Sequence, residues 1–316
     1  MQRTQRMRDW LIAAAVIAAV SADAQAAKVA GHVETGALYD SNLNVDELDQ
    51  ASDRSDHALL IDAGAEASGH PLDNLTLTGT YDFTSRNYAS NDRFDQTIHL
   101  ASVDLSYDID SVTVGASHHY SHATLDSEPF LDYHRTSVYM GKLIDDDVYV
   151  MVSLLSKRKS FDHDQARDAH TRGVALDNFF FFNQRQTLLV FGLESDHQTA
   201  RSDAYDYLML AGRARVKHHF MVSGHRNTVQ AGVRYEARDY DEPVSSVDNP
   251  TLPLAGPTQS NRTRTDGILN ADIRWSVGLT DWLTTEAKVE HTDYRSTLDS
   301  AEYAKTVASL TLRVDF

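Results

Sequence analysis

The chain has 316 residues, of which 41% are hydrophobic and 24% are charged, and it contains no cysteine. Its formal net charge is -17 and its mean hydropathy is -0.42. The absence of cysteine excludes disulfide-stapled and zinc-finger scaffolds, and no internal run reaches the roughly 20 apolar residues that a polytopic helical membrane protein needs. An acidic chain repels phosphates, so nucleic acid is not expected as a partner. These averages suggest a soluble acidic protein, and the order of the residues overturns that suggestion.

The first 26 residues have the three parts of a secretory signal peptide. Three arginines within the first eight positions precede the apolar run 10–20, and Ala24-Gln25-Ala26 supplies a small-x-small cleavage pattern. The apolar run is too short to span a membrane, and no cysteine follows that could carry a lipid anchor. We therefore predict a signal peptide over 1–26 and one exported domain over 27–316.

From position 28 onward, apolar residues recur at every second position, not at a helical spacing. In the last block, the run from Ala304 to Phe316 alternates apolar with polar side chains, and Val307 is the one exception. Such alternation predicts strands with one apolar face. The predicted strands, fourteen in number, span approximately 28–40, 57–68, 75–87, 96–108, 112–124, 133–143, 148–159, 170–182, 187–198, 205–217, 228–239, 263–278, 283–295 and 303–316.

The predicted connections alternate in length. Tight turns such as 109–111 follow the even-numbered strands, and polar, mostly longer loops such as 160–169 follow the odd-numbered ones. Short periplasmic turns and longer external loops are typical of outer-membrane barrels, and the strands exceed the roughly 5–6 residues usual in a soluble sandwich. The predicted fold is therefore all-β: a transmembrane antiparallel up-and-down β-barrel in the outer membrane of a Gram-negative bacterium.

Two predicted loops stand out by composition. Residues 240–262 contain four of the six prolines, and proline is excluded from strand interiors, so we expect an external flap or a segment folded into the barrel mouth. Residues 41–56 are rich in aspartate and glutamate, but their spacing does not match an EF-hand loop. A solvated acidic loop is therefore favoured over a metal site.

The final strand, ending in Leu312, Val314 and Phe316 on one face, resembles the C-terminal signature of bacterial outer-membrane proteins. This resemblance implies that those three residues are the assembly signal read by the barrel-assembly machinery. The strand count, the segment 39–44 (Tyr-Asp-Ser-Asn-Leu-Asn) and the segment 168–177 resemble the C-terminal barrel domain of the surface lipoprotein assembly modifier family. That resemblance implies exported lipoproteins as clients. The family's periplasmic tetratricopeptide region has no counterpart between the predicted cleavage site and the first strand.

Charged residues of both signs fall on the predicted inner faces of the last four strands. They are Arg234, Glu236, Arg238, Arg264, Asp266, Asp272, Arg274, Glu286, Lys288, Glu290, Lys305 and Arg313. Side chains can fill the interior of a barrel of about eight strands, whereas porins with 16–18 strands enclose water. Fourteen strands favour an aqueous lumen lined by these residues, and a packed polar core is the alternative.

The fifteen histidines raise the question of a metal or catalytic site. His118 and His122 share a strand face but lie about 13 Å apart at about 3.3 Å per residue, so they cannot chelate one ion. Serine–histidine neighbours such as 117/119 and 121/122, and the dipeptides 162–163 and 196–197, offer no specific catalytic motif. We predict no catalytic residue, metal or cofactor.

The sequence therefore favours a channel or translocation pore with a polar lumen. We expect the barrel to be surrounded by outer-membrane lipid and lipopolysaccharide. The family resemblance implies in addition that the pore assists surface lipoprotein export. One alternative is a lipid-modifying or proteolytic barrel enzyme. Another is a structural or adhesive barrel that binds partners through its loops.

Overall fold

The computed structural model describes residues 28–44, 52–243 and 263–316, and within these ranges the chain forms one closed antiparallel β-barrel of fourteen strands. Each strand pairs with its neighbours in sequence, and the last strand pairs with the first to close the ring. The predicted fold is thereby confirmed. The strands are β1 (Lys28–Asp40), β2 (Asp56–Leu72), β3 (Leu75–Tyr88), β4 (Gln96–Ile109), β5 (Val112–Leu125), β6 (Glu128–Ile144), β7 (Val148–Phe161), β8 (Ala169–Phe182), β9 (Thr187–Ala200), β10 (Tyr207–Val222), β11 (His225–Pro243), β12 (Thr263–Gly278), β13 (Leu283–Ser296) and β14 (Tyr303–Asp315).

Alternation along each strand separates an outer apolar face from an inner polar face. In β14, Leu310 is 63% exposed on the outer face, whereas its neighbour Thr311 is 3% exposed on the inner face. Leu154 and Leu193 are likewise exposed on the outer faces of β7 and β9. A continuous exposed apolar surface is unfavourable in water, but it matches the apolar band, about 25 Å tall, that a membrane-spanning barrel presents to lipid.

The connection between β5 and β6 differs from the sequence-based expectation. The predicted loop 125–132 is a two-residue turn at Asp126 and Ser127, both of which have positive φ, as tight hairpin turns of the primed type require. Pro129 argues against a strand in this stretch. The structure accommodates it where the β5–β6 register shifts between Ala123 and Thr124, since a proline is tolerated at an irregularity of the ladder.

Other strand ends also differ from the prediction. β10 begins at Tyr207 because the preceding residues Asp203–Tyr205 form a short 3-10 helix. β11 continues to Pro243, beyond the predicted start of the proline-rich loop, and its register with β12 shifts between Asp239 and Pro243. The rest of that loop, residues 45–51 of the acidic loop and the predicted signal peptide lie outside the described residues.

The barrel closes by pairing β1 with β14. Beyond the last paired residue of β14, the backbone of Phe316 still exchanges two hydrogen bonds with Gly31, of 2.8 and 2.9 Å. The phenyl ring of Phe316 lies over Gly31, and a Cβ atom at that position would come within 2.6 Å of the ring. Leu312, Val314 and Phe316 all project from the outer face near the closure.

Both termini of the barrel lie at the end that carries the short turns, which we call the periplasmic end by analogy with outer-membrane barrels. The opposite, external end carries the longer connections. Four of these contain short 3-10 helices, at Asp92–Phe94, Gln165–Arg167, Asp203–Tyr205 and Asp299–Ala301. In the part of the chain that the structure describes, no helix is long and apolar enough to cross a membrane.

Candidate functional site

A cavity of about 470 Å³ lies inside the barrel, toward the external end. Its lining side chains come from β3 to β11, from β14 and from the first external loop, so the cavity spans the barrel interior. Its charged lining residues are Arg86, Lys157, Lys159, Asp196, Arg234, Glu236, Arg238 and Lys305. Four of the twelve predicted lumen residues are among them.

A chain of ion pairs crosses the cavity wall from β7 to β11. The Nζ atom of Lys157 lies 2.6 Å from Glu194 and 2.5 Å from Asp196, both on β9. Glu194 lies 3.7 Å from Arg234 on β11, which donates a 3.0 Å hydrogen bond to Glu236. Charges of opposite sign alternate along this chain, so each partly buried group has a partner, as burial of charge requires.

The twelve predicted residues all lie on inner-face positions, and each has an oppositely charged partner. The pairs are Arg234–Glu236 (3.0 Å), Arg238–Glu236 (2.6 Å), Arg264–Asp266 (2.6 Å), Arg215–Asp272 (3.4 Å), Arg274–Glu286 (3.2 Å), Lys288–Glu290 (2.8 Å), Lys305–Asp40 (3.0 Å) and Arg313–Asp315 (2.8 Å). The structure therefore places them in pairs, several of them with residues that were not among the twelve.

One of these pairs is shielded from the cavity. The side chains of Arg264 and Asp266 are 2% and 0% exposed. The hydroxyl group of Tyr294 donates to Asp266 at 2.6 Å, Ser296 donates to the same carboxylate at 2.5 Å, and the guanidinium of Arg264 lies over the ring of Tyr240. This pair fills the wall where β11, β12 and β13 meet, and solvent in the lumen does not reach it.

Several ion pairs bridge two strands by passing over a small residue on the strand between them. Lys157 on β7 reaches Asp196 on β9 over Gly173 of β8, where an added Cβ atom would collide with the Asp196 carboxylate. In the same way, Arg215 on β10 reaches Asp272 on β12 over Gly232, where an added Cβ atom would lie 2.6 Å from Asp272. The long charged side chains therefore lie along the wall instead of projecting across the lumen.

The same arrangement recurs elsewhere on the inner face. Gly192 lies beneath the Arg213–Asp177 pair, whose charged atoms are 2.7 Å apart. Gly115 lies beneath Tyr139, which donates a 3.0 Å hydrogen bond to Asp104. Because the flanking side chains occupy the space above each glycine, these positions depend on the missing Cβ atom and on close approach, not on an unusual backbone conformation.

The inner face is not uniform in charge around the ring. Strands β1 to β4 present carboxylates on inner-face positions, with Lys28 and Arg86 as the only lysine and arginine among them. These carboxylates are Glu34, Asp40, Asp56, Asp62, Glu66, Asp82, Asp104 and Asp108. Strands β7 to β11, on the other side of the fourteen-strand ring, present Lys157, Lys159, Arg213, Arg215, Lys217, Arg234 and Arg238. One wall of the lumen is therefore mainly acidic, whereas the facing wall combines these cations with the carboxylates of Asp177, Glu194, Asp196 and Glu236.

Sequence reasoning missed the charged residues of β7 to β10, including Lys157, Glu194, Arg213 and Arg215. The signal that could have found them is the same two-residue alternation that identified the twelve. It runs through these strands as well, and applying it to every strand would have assigned each charged residue to one face. Alternation does not predict which charged residue a given side chain pairs with. Lys157 on β7, for example, forms its ion pair with Asp196 on β9, two strands away.

The first external loop begins inside the barrel mouth. Leu43 is 1% exposed and packs against Leu38, Ala58 and Tyr88. Asn44 lines the cavity and accepts a 2.9 Å hydrogen bond from Lys305. The segment 41–44, noted in the sequence as part of a family-like stretch, therefore narrows the external opening on the β1 side.

The histidine-containing pairs that the sequence suggested do not form catalytic arrangements. Ser117 is bonded to Ser137, and residues 121 and 122 project to opposite faces of β5. Asp196 projects inward toward Lys157, whereas residue 197 projects outward. His163 and Asp162 lie 3.8 Å apart in an exposed loop.

One serine–histidine contact does lie on the outer face, between Ser156 and His170 at 3.2 Å. Among the described residues, no carboxylate or amide side chain is bonded to His170, so the group that orients the base in a nucleophilic triad is missing. No group of three or more potential metal ligands occurs within the described ranges.

Comparisons with known proteins identify the fold. No protein-family model matches the chain, and no curated protein is similar to it in sequence. Among solved structures, it is similar to OmpT, an outer membrane protein of Vibrio cholerae. The trimer form of OmpT gives a TM-score of 0.53 with 10% identity over 93% of this chain and 100% of that one. OmpT expressed in the outer membrane gives a TM-score of 0.52 with 10% identity over 94% and 99%. A loop-deletion mutant gives 0.51 with 12% identity over 93% and 100%. The chain thus has the fold of outer-membrane β-barrel proteins.

Proposed function

We propose that this protein is an outer-membrane channel whose hydrated lumen admits small polar solutes. The observation that carries the proposal is the way in which the inner charges are held. Ion pairs such as Lys157–Asp196 and Arg215–Asp272 pass over glycines and lie along the wall. In a barrel filled by its own side chains, such charged side chains would project toward the barrel axis. Here the glycines leave space for them to lie against the wall.

The chemistry of the cavity supports a polar solute. The Nε atom of Arg86 and the Nδ2 atom of Asn44 are buried at the cavity wall and have no hydrogen-bond partner among the described residues. Buried donors require partners, and water enclosed in the wall can supply acceptors for these two atoms. The groups available to a passing polar solute are the charged side chains that line the cavity, such as Lys159 and Arg238.

The first experiment is conductance of the purified protein in planar lipid bilayers in potassium chloride. The proposal expects discrete, stepwise increases in current. A folded preparation that inserts into the bilayer without any conductance would overturn it. Heat-modifiable migration in gel electrophoresis establishes that the preparation is folded.

Delivery of lipoproteins to the cell surface is a second candidate, supported by the family resemblance of the strand count and of the segment 39–44. It predicts that deletion of the gene lowers surface display of lipoproteins while their synthesis is unchanged. Unaltered display would remove this candidate and leave the solute channel in place.

A further inference from the structure

The external ends of β7, β8 and β9 carry basic side chains on the outer face of the barrel. We define the outer basic cluster as Arg158, His170, Arg172 and His197. Arg158 is the cross-strand partner of His170, and Arg172 is the cross-strand partner of His197. All four residues are exposed. They therefore form one contiguous surface that faces away from the lumen.

The two arginines of this cluster are not neutralised by any residue that the structure describes. Within the described residues, neither Arg158 nor Arg172 forms a hydrogen bond or an ion pair, and no outer-face position of β7, β8 or β9 holds an aspartate or glutamate. Arg295, on the outer face of β13 at the same end, differs because it lies 2.8 Å from Asp293. Unpaired guanidinium groups on β7 and β8 are available to an external anion.

The cluster lies directly above the apolar outer surface. Arg172 on β8 faces Ser156 on β7. The next outward-facing pair toward the periplasmic end is Leu154 and Val174, whose side chains are 63% and 51% exposed. Leu193 continues this surface on β9. A ligand that covers both regions must combine an anionic head with apolar chains.

A shallow concavity of about 490 Å³ lies at the external edge of the cluster. Arg158, His170 and Arg201 contribute basic side chains to it, and Thr199 contributes a hydroxyl group. Asp168 also lines it, but its carboxylate is 3.1 Å from Arg201. The concavity offers space for a compact head group beside Arg158.

We propose that the outer basic cluster binds a phosphate group of a phosphorylated glycolipid of the outer leaflet, whose acyl chains lie on the exposed aliphatic surface of β7, β8 and β9. Arg158 and Arg172 are diagonal neighbours on adjacent strands, with Cα atoms about 7–8 Å apart in such an arrangement. Two long side chains at that spacing can converge on one phosphate, and the guanidinium group matches phosphate geometry with two parallel donors.

A membrane lipid fits this surface better than a soluble phosphate does. A soluble anion would use only the arginines and the hydroxyl groups, whereas the exposed aliphatic side chains of Leu154, Val174 and Leu193 lie below them on the same face. The site lies on the opposite face of the wall from the cavity, so it depends on the orientation of the barrel in the membrane and not on the lumen being open.

The test uses the folded protein in detergent micelles, titrated with diphosphoryl lipid A and followed by native mass spectrometry. We expect a saturable lipid-bound species, and binding weakened about tenfold or more in the double variant Arg158→Gln/Arg172→Gln, because each charge-assisted contact to phosphate is lost. The matched control Arg295→Gln removes an outer-face arginine that already has a carboxylate partner, and it should bind as the parent does.

Two further ligands distinguish the source of the phosphate. Lipid A without its phosphates should bind the parent protein about as weakly as diphosphoryl lipid A binds the double variant, and excess inorganic phosphate should not displace diphosphoryl lipid A. Equal binding of the dephosphorylated lipid, displacement by inorganic phosphate, or undiminished binding by the double variant would each overturn the proposal. Should the double variant not fold, the single variants and the comparison of the two lipids on the parent protein decide the question. Conductance measurements are independent of this result.

Discussion

Lys305 on β14 forms an ion pair with Asp40 at the end of β1, with Nζ and Oδ2 3.0 Å apart. The same ammonium group donates to Asn44, and Asp40 also accepts a hydrogen bond from Tyr88. The contact therefore joins the closing strand to the first strand and holds the start of the first loop, including the buried Leu43, in the barrel mouth.

Replacing Lys305 with methionine should destabilise the external end and widen the mouth. The carboxylate of Asp40 would remain buried without its cation, and breaking such a pair costs about 3–5 kcal/mol. We expect a lower midpoint of unfolding in urea and a larger single-channel conductance. Lys288→Met, which removes the cation of a partly exposed pair, should change both quantities less. Equal effects in the two variants would contradict the anchoring role.

Gly173→Ala should disturb the wall of the lumen. The new Cβ atom would collide with the Asp196 carboxylate and displace its contact with Lys157, and overpacking of this kind costs about 1–3 kcal/mol. Gly212→Ala is the matched control, because its Cβ atom would meet only Leu193 at 3.7 Å. Thermal unfolding of the two variants measures the difference, and similar stabilities would show that the glycine is not required for the close approach.

Asp266→Asn should be among the most destabilising polar substitutions in the wall. It leaves Arg264 buried beside a neutral amide, and loss of one partner from a buried pair costs about 3–5 kcal/mol. The control Asp293→Asn weakens the exposed pair with Arg295 and should leave the free energy of unfolding almost unchanged. Chemical denaturation monitored by tryptophan fluorescence checks both values, and a mild effect at position 266 would argue against a tightly buried pair.

The acidic wall should set the ion preference of the channel. Glu34 and Glu66 lie on inner-face positions of β1 and β2, so Glu34→Gln/Glu66→Gln should lower the ratio of potassium to chloride permeability, read from the reversal potential in a salt gradient. Exposed Glu302, in the external loop before β14, provides the control Glu302→Gln. A reversal potential unchanged in the double variant would mean that ions do not pass along this wall.

Phe316 should act in assembly in cells. Its ring covers Gly31 at the closure of the barrel, and we propose that it is read with Leu312 and Val314 by the barrel-assembly machinery. Phe316→Ala should reduce the amount of folded protein in the outer membrane while refolding into detergent in vitro stays close to normal. Loss of refolding in vitro to the same degree would assign the residue to stability instead of recognition.

The sequence by itself determined the barrel, because the side chains of a strand alternate between faces with a period of two and each face meets a different solvent. The same alternation assigns Glu236, Lys288 and Arg313 to the inner face without knowledge of any contact. The prediction of a loop over 125–132 was wrong, because Pro129, although unfavourable in a strand, is tolerated at an irregularity in the β5–β6 ladder.

Only the tertiary structure decided which charges meet. Alternation specifies a face but not the register with the next strand, and Lys157 reaches Glu194 and Asp196 two strands away because Gly173 leaves space between them. That Arg158 and Arg172 have no partner among the described residues likewise depends on what the neighbouring strands place beside them. Pairing across strands is set by the shear and closure of the whole barrel, which no single segment of the sequence encodes.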